Sequence, residues 1–444
     1  MKPSVKPSAR RVRTAAVSAL AAALLLTAAG CAPSTSGGGA GGDERTGTLR
    51  VWLFQEVGNE PKKKVVDAAV SAFQARHEGA EVEVEYIPVE SRAERVKAAF
   101  NDPSSAPDLI EYGNTDTAGY VRDGGLADVT AEFGAWAEAK DTDPTARAGA
   151  TVDGKVYGAP LLVGVRALYY RTDVFKELGL AVPRSQDELA ATARKIRTAR
   201  PELYGIAVGG AYTYGALPFV WAHGGDLATR EGGSGGYRAA IDSPAARRGI
   251  TAYTSLFGPG NCPAASCASM GGNATVTAFA SGKAAMAIGG DFSHAAVEAG
   301  AAKGKYAVVP LPGVAKGSVA PAFAGGNNLG VLKSSGHRTL AVDLMKELAG
   351  KKTQRALFDA MGFLPTYADV RADIARAQPH VKPFTDTLAA GTKPVPASPA
   401  WGQIDASQVL PTMLQEIVSG RKDVAAATSD AARKMDDAFA SAAR

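Results

Sequence analysis

Thr48-Leu49-Arg50-Val51-Trp52-Leu53-Phe54 is a nearly continuous apolar run that reads as a buried strand, and the reading of the whole chain grows out of it. Pro61 opens the next segment, where Val65, Val66, Ala69, Val70 and Phe73 recur at helical spacing. Glu81-Val82-Glu83-Val84-Glu85-Tyr86 then alternates acid and apolar residues, the period of a half-buried strand. A second helix is predicted around Arg92–Phe100, and Pro107-Asp108-Leu109-Ile110-Glu111-Tyr112 is the next strand. This β-α-β-α-β succession argues for a doubly wound α/β domain.

The pattern returns downstream. Leu161 to Tyr170 is extended, and Ser185-x-x-Glu188 has the form of a capping box ahead of Leu189, Ala193 and Ile196. Tyr204–Val208, Ala284–Ile288, Val308–Pro312 and Leu329–Leu332 read as short extended pieces. Leu340–Leu348 and Gln354–Met361 read as helices, and the tail from Val409 to Ala440 reads as helical throughout. Two α/β lobes are expected, and no short-period repeat is visible.

The chain has 444 residues, 46% hydrophobic and 21% charged, a mixture that suits a globular protein with two ample cores. Its formal charge of +5 sits at the N-terminus: Lys2, Lys6, Arg10, Arg11 and Arg13 are unopposed by acids up to Gly30. Beyond them, bases and acids balance, so a body built to grip nucleic acid is not expected.

That basic stretch precedes Ala15–Ala29, an apolar run interrupted only by Ser18 and Thr27. It is shorter than the roughly 20 residues a membrane span requires, and reads as a secretory signal peptide over residues 1–30. Ala28-Ala29-Gly30-Cys31 resembles the lipobox of bacterial lipoproteins, with Ala28 standing where Leu is usual. The resemblance implies a lipidated Cys31 and a flexible tether over 31–46, and so a domain anchored to the outer face of the cell membrane. Arg10-Arg11 leaves both the general and the twin-arginine export routes open. The two remaining cysteines, Cys262 and Cys267, are expected to form a small loop disulfide, since two thiolates without neighbouring His make a poor zinc site.

Several further segments carry a resemblance to a known family. They are Pro107-Asp108…Gly119-Tyr120…Gly125-Leu126-Ala127-Asp128-Val129-Thr130, Gly154-Lys155-Val156-Tyr157-Gly158-Ala159-Pro160…Leu168-Tyr169-Tyr170…Asp173-Val174-Phe175, Ala278-Phe279…Gly282…Met286…Gly290-Asp291, Gly325-Gly326-Asn327-Asn328, Gly362-Phe363-Leu364-Pro365-Thr366 and Pro399-Ala400-Trp401. In this order, behind a lipobox, they resemble the carbohydrate-binding group of substrate-binding lipoproteins of ABC importers, typified by maltose-binding protein. The resemblance spans about Thr48 to Ala443. It implies a periplasmic-binding-protein-like fold of two doubly wound α/β lobes joined by a multi-crossing hinge. Lobe one would take 47–160 and 322–368, and lobe two 161–321 and 369–444, with crossings near Pro160, Pro321 and Thr366. The implied function is capture of a di- or oligosaccharide between the lobes by a monomer, and its delivery to ABC permease subunits, with no cofactor and no metal.

Sugars present hydroxyls and apolar C–H faces, so a site needs aromatic platforms together with carboxylates and amides. Trp401 matches the family's stacking tryptophan, and its Pro and Gly neighbours suggest a loop. Tyr214 matches an aromatic near the ligand, whereas Trp221 reads as core. Asp291 stands where many relatives place a Trp; an acid exposed at a strand end suits hydroxyls but gives up stacking. Asn114 and Asp116 follow the third strand, and Gln55 and Glu56 the first, at positions where relatives bond sugar. Arg166 is unusual in an apolar extended segment; it would line the cleft to meet a charged or acylated sugar, or pair with an acid.

Catalysis has little support. Gly232-Gly233-Ser234-Gly235-Gly236 satisfies G-x-S-x-G but lies in a polar glycine run, without the strand and helix a nucleophile elbow needs. The five histidines are scattered, and no phosphate-binding loop motif occurs. The competing readings are a secreted carbohydrate-active hydrolase, or a binding protein for a polyamine, a peptide or ferric ion. Adjacent Tyr169 and Tyr170 would point to opposite sides of an extended segment, which disfavours a ferric site.

Overall fold

The computed structural model describes residues 43–56, 59–88, 91–230, 236–323 and 325–443. The signal peptide, Cys31 and most of the tether lie outside the described residues. Strand β1 (Gly47–Phe54) leads to helix α1 (Glu60–Gln74), strand β2 (Ala80–Ile87), helix α2 (Arg92–Asn101) and strand β3 (Leu109–Gly113). Strand β4 (Ala159–Gly164) and strand β5 (Arg166–Arg171) follow, then helix α3 (Thr213–Ala222), β6 (Met286–Gly290), β7 (Tyr306–Val309), β8 (Ala322–Phe323) and β9 (Gly325–Val331). Beyond them come α4 (Arg338–Ala349), α5 (Lys351–Met361), β10 (Thr392–Lys393), α6 (Trp401–Ala406), α7 (Val409–Val418) and α8 (Val424–Ala442).

The first sheet runs in the order β2-β1-β3-β9-β4. β1 is parallel to β2, with Val51 opposite Val84, and parallel to β3, while β9 runs antiparallel to both β3 and β4. Leu49, Val51 and Leu53 bury one side of β1 against Val66, Val70 and Phe73 of α1, with α4 and α5 closing the same core. In β2 the acids Glu81, Glu83 and Glu85 alternate with less exposed residues, as the period-two pattern requires.

The second sheet is smaller, with order β6-β5-β7 and all pairs antiparallel. Tyr204–Val208 contributes only the parallel bridges Tyr204↔Ala284 and Ala207↔Ala287. Its core is large and mostly helical, drawing Leu189, Phe219, Ile250, Met435 and Phe439 together. Cys262 and Cys267 are joined by a disulfide inside this core, with Cα atoms 6.0 Å apart.

Three sequence expectations shift. Leu161–Tyr170 is two strands: β4 belongs to the first sheet and β5 to the second, so the chain crosses at Val165, not near Pro160. Asp291 fixes that crossing, accepting the Val165 N–H on Oδ1 at 2.8 Å and donating its own N–H to the Val165 carbonyl at 3.1 Å. The return crossing lies between Phe323, which pairs with Lys393, and Gly325, which pairs with Gly164. Gly326 follows at φ 154°, where an added Cβ would stand 2.2 Å from the Leu162 carbonyl oxygen, so only glycine lets the strands close there. The C-terminal tail breaks into α7 and α8, because Gly420 takes φ 71° after the first of them.

Gly232–Gly235 of the G-x-S-x-G stretch lie outside the described residues, and the described elements before and after them are two short strands, Ala228–Arg230 and Tyr237–Ala239, paired antiparallel. The element after it is therefore a strand, whereas a nucleophile elbow is followed by a helix.

Candidate functional site

A cleft of about 1060 Å³ opens where the chain crosses between the two sheets. The first sheet contributes Glu56 beyond β1, Gly113, Asn114 and Thr115 beyond β3, and Gly325–Asn327 at the start of β9. Arg92 enters from the first turn of α2. The second lobe contributes Arg166, Tyr214, Asp291, Phe292, His294 and His380, and Phe323 stands at the return crossing. Binding clefts form at such places because strand ends and helix starts leave backbone and polar groups unspent.

The first-sheet wall rests on a buried ion pair that sequence reading did not single out. Lys62 and Glu111 are each 1% exposed, with Lys62 Nζ 2.9 Å from Glu111 Oε2. Glu111 also accepts the Phe54 N–H at 2.8 Å and the Asn327 side-chain amide at 2.7 Å, while Lys62 donates to the Phe54 carbonyl at 2.7 Å. One carboxylate thus ties the ends of β1, α1, β3 and β9, the frame on which Glu56 and Asn114 stand. Burial of Glu56 pushes its carboxyl up despite the nearby Lys62 ammonium.

Arg166 sits among rings. Its Nε donates to the Tyr212 hydroxyl at 3.0 Å, and its guanidinium carbon lies 5.2 Å from the Tyr214 ring centroid and 5.8–5.9 Å from those of Tyr212, Phe292 and Phe323. Tyr214 and Phe323 stack at 4.3 Å. Phe292 is 45% exposed, unusual for so large an apolar side chain. It occupies the position next to Asp291, and so offers the aromatic face that the acid gives up.

Five of the sequence candidates line the cleft: Glu56, Asn114, Arg166, Tyr214 and Asp291. Asp291 does so from a buried position, with one oxygen committed to the crossing; burial pushes its carboxyl up to about 7. It is a hinge clamp more than an exposed hydroxyl acceptor.

Three candidates do not line the cleft. Trp401 begins helix α6 rather than a loop, is 1% exposed and packs in the second lobe's core behind Tyr214. Its buried indole N–H lies near the Tyr214 hydroxyl. Gln55 is exposed, directly after the end of β1, and is not among the residues that line the cleft. Asp116 precedes the short helix Thr117–Arg122 without capping it, half-buried beside the cleft, and burial pushes its carboxyl up to about 6.

Sequence reading missed Phe292, Phe323, Arg92 and a histidine pair. Phe292 had a signal in its adjacency to a family motif; the others are assembled only by folding. His294 stacks on His380 with ring centroids 3.9 Å apart, and its Nδ1 is hydrogen-bonded to the Tyr306 hydroxyl at 2.7 Å. Burial holds both imidazoles below their ordinary range, which favours the neutral form. Among the described residues, no group of three or more His, Cys, Asp or Glu could hold a metal ion, and no helix is long and apolar enough to cross a membrane.

The arrangement offers apolar ring faces from one lobe and charged or amide groups from the other. Comparison with known proteins agrees with a binding role. The diacetylchitobiose-binding protein of Streptomyces coelicolor is 24% identical over 401 residues, covering 88% of this chain and 89% of that protein. A maltooligosaccharide ABC transporter solute-binding lipoprotein of Streptococcus pneumoniae is 24% identical, covering 74% and 76%. The fold matches the solved sugar-binding protein MalE of Xanthomonas citri with a TM-score of 0.76 at 22% identity, over 89% of this chain and 98% of that one. The family model for bacterial extracellular solute-binding proteins matches residues 53–355, and with a two-lobed fold built around such a cleft, the chain belongs to that family.

Proposed function

We propose that this protein is the extracytoplasmic substrate-binding component of an ABC importer, and that it holds a di- or oligosaccharide in the cleft without changing it chemically. The observation that carries this reading is the pairing of Phe292 and Tyr214, which Phe323 backs, on one wall with Glu56, Asn114 and Arg92 on the other. Sugar rings stack their C–H faces on the former and bond their hydroxyls to the latter. The names of the relatives support the same ligand class. Asp291 and Arg166 flank the crossing at Val165, so ligand contact and hinge geometry meet in two neighbouring residues. Closure over the ligand then creates the shape that the permease reads.

Residues 1–30 serve as the signal peptide, Cys31 carries the lipid and 31–46 form the tether, leaving a monomer at the outer membrane face. Mass spectrometry of the exported chain, with and without Cys31→Ala, checks the lipid directly.

The function is tested by thermal unfolding with a panel of mono-, di- and oligosaccharides beside spermidine, a peptide mixture and ferric citrate. A ligand at about 100 times its Kd adds about 2.7 kcal/mol to stability, a readable rise in midpoint. A rise confined to sugars supports the reading. A rise with spermidine or iron alone overturns the carbohydrate assignment, and turnover of a chromogenic glycoside overturns the purely binding role.

A further inference from the structure

We propose that the cleft selects a sugar bearing a carboxylate, and that Arg166 is the residue that reads it; this rests on the carbohydrate reading above. Arg166 is the first residue of β5, directly after the crossing residue Val165, and lines the cleft floor. Its Nε–H is spent on Tyr212. The two terminal nitrogens of the guanidinium make no hydrogen bond or ion pair with any described residue, although the side chain is half-buried. A half-desolvated cation that lacks a carboxylate partner is unusual, because the charge gives up water without recovering its energy elsewhere.

The rings around it hold that fork in place, and glycines make room for the rings. A Cβ on Gly290 would lie 2.3 Å from the Phe292 ring, one on Gly325 2.9 Å from Phe323, and one on Gly215 2.6 Å from Tyr212. The guanidinium is thus pre-positioned by packing, and a ligand need not immobilise it.

The charges nearby are unevenly matched. Arg92 acts on Glu56, Asp116 and Asp405 together, and so serves as the counter-cation of the acids beside the first lobe's wall. The acid facing Arg166 is Asp291, whose Oδ1 already accepts the Val165 N–H and whose burial opposes its ionisation. The cleft floor therefore carries an unanswered planar cation, and a uronate carboxylate matches its two parallel N–H groups. Phe292 and Tyr214, with ring centroids 5.9 and 5.2 Å from the guanidinium carbon, are placed to receive C–H faces of the same sugar.

The test uses the mature full-length protein and isothermal titration with disaccharides ending in glucuronate, galacturonate or mannuronate, each beside its neutral parent sugar. At least one uronate is expected to bind about 10-fold or more tightly than its parent, with the difference shrinking as salt is raised. Arg166→Gln is expected to abolish that preference, and Arg166→Lys to retain part of it, because a point charge lacks the fork. Thermal unfolding of each variant verifies folding, and the preference of the unaltered protein stands as a result on its own. Neutral sugars binding as tightly as every uronate, or a preference that survives in folded Arg166→Gln, overturns the inference and leaves the sugar reading intact. Failure of all sugars, acidic and neutral, overturns both.

Discussion

The two walls of the cleft are built by opposite means. On the first-sheet side, polar residues reach the ligand space from strand ends locked by a buried ion pair, Lys62–Glu111, with Asn327 and the Phe54 backbone as further partners. On the second-lobe side, aromatic rings are seated on glycines, and the one buried acid, Asp291, is bonded to the crossing backbone. One wall gets its rigidity from electrostatics, the other from packing. The first wall is therefore vulnerable to loss of a charge partner, the second to loss of volume.

Breaking the ion pair is expected to have the largest effect. Glu111→Ala leaves the Lys62 ammonium buried without its partner and removes three hydrogen bonds, for a loss of about 3–5 kcal/mol in urea unfolding. The double variant Lys62→Met, Glu111→Leu is expected to recover much of it. If Glu111→Ala alone loses less than about 1 kcal/mol, the first wall is not held electrostatically.

On the other side, Trp401→Ala removes a fully buried ring from the core behind Tyr214 and is expected to cost about 3–4 kcal/mol by the same measurement. Trp401→Phe is expected to cost less, because a second ring refills most of that volume. Sugar affinity should follow stability in both variants, which separates a packing role from a stacking one.

Asp291 joins the two walls and gives a pH signature. Burial raises its carboxyl from the ordinary 3.8 to about 7, so the folded state binds the proton more tightly than the unfolded state. Its contribution to stability is complete below about pH 4 and is lost as pH rises through 7, up to about 4 kcal/mol for the shift. Asp291→Asn keeps an acceptor for the Val165 N–H and is expected to flatten the stability profile between those limits. An unchanged profile would place the carboxylate in water.

The smallest effect on stability is expected where the largest effect on binding is sought. Phe292→Ala removes a 45% exposed ring, so unfolding should move by no more than about 0.5 kcal/mol. Sugar affinity should fall by about 10-fold, the scale of a lost ring contact, in isothermal titration. Equal losses in both quantities would make Phe292 a structural residue.

Much of this molecule is legible from local pattern. The apolar run at Thr48–Phe54, the alternation at Glu81–Tyr86 and the helical spacing from Val65 to Phe73 give the first sheet and its helix directly, because one buried face imposes one period. The Ser185 cap is equally local: its hydroxyl accepts the Glu188 N–H at 3.2 Å. The cleft residues at strand ends, Glu56 and Asn114, are legible too, since in an open α/β sheet the ends of strands face the binding crevice.

What folding alone decided concerns partners far apart in the chain. Trp401 looked like a loop platform because its neighbours are Pro and Gly, yet helix α6 turns it into the core, and only the packing of residues some 180 positions away shows that. Phe292, Phe323 and Tyr214 converge on Arg166 from three separate segments, and Lys62 meets Glu111 across 49 residues. Local pattern fixes the strands and helices of the first sheet, because backbone hydrogen bonding and burial act over a few residues. The tertiary structure decided which side chains share the cleft, because desolvation and charge pairing depend on distance in space, which periodicity along the chain does not encode.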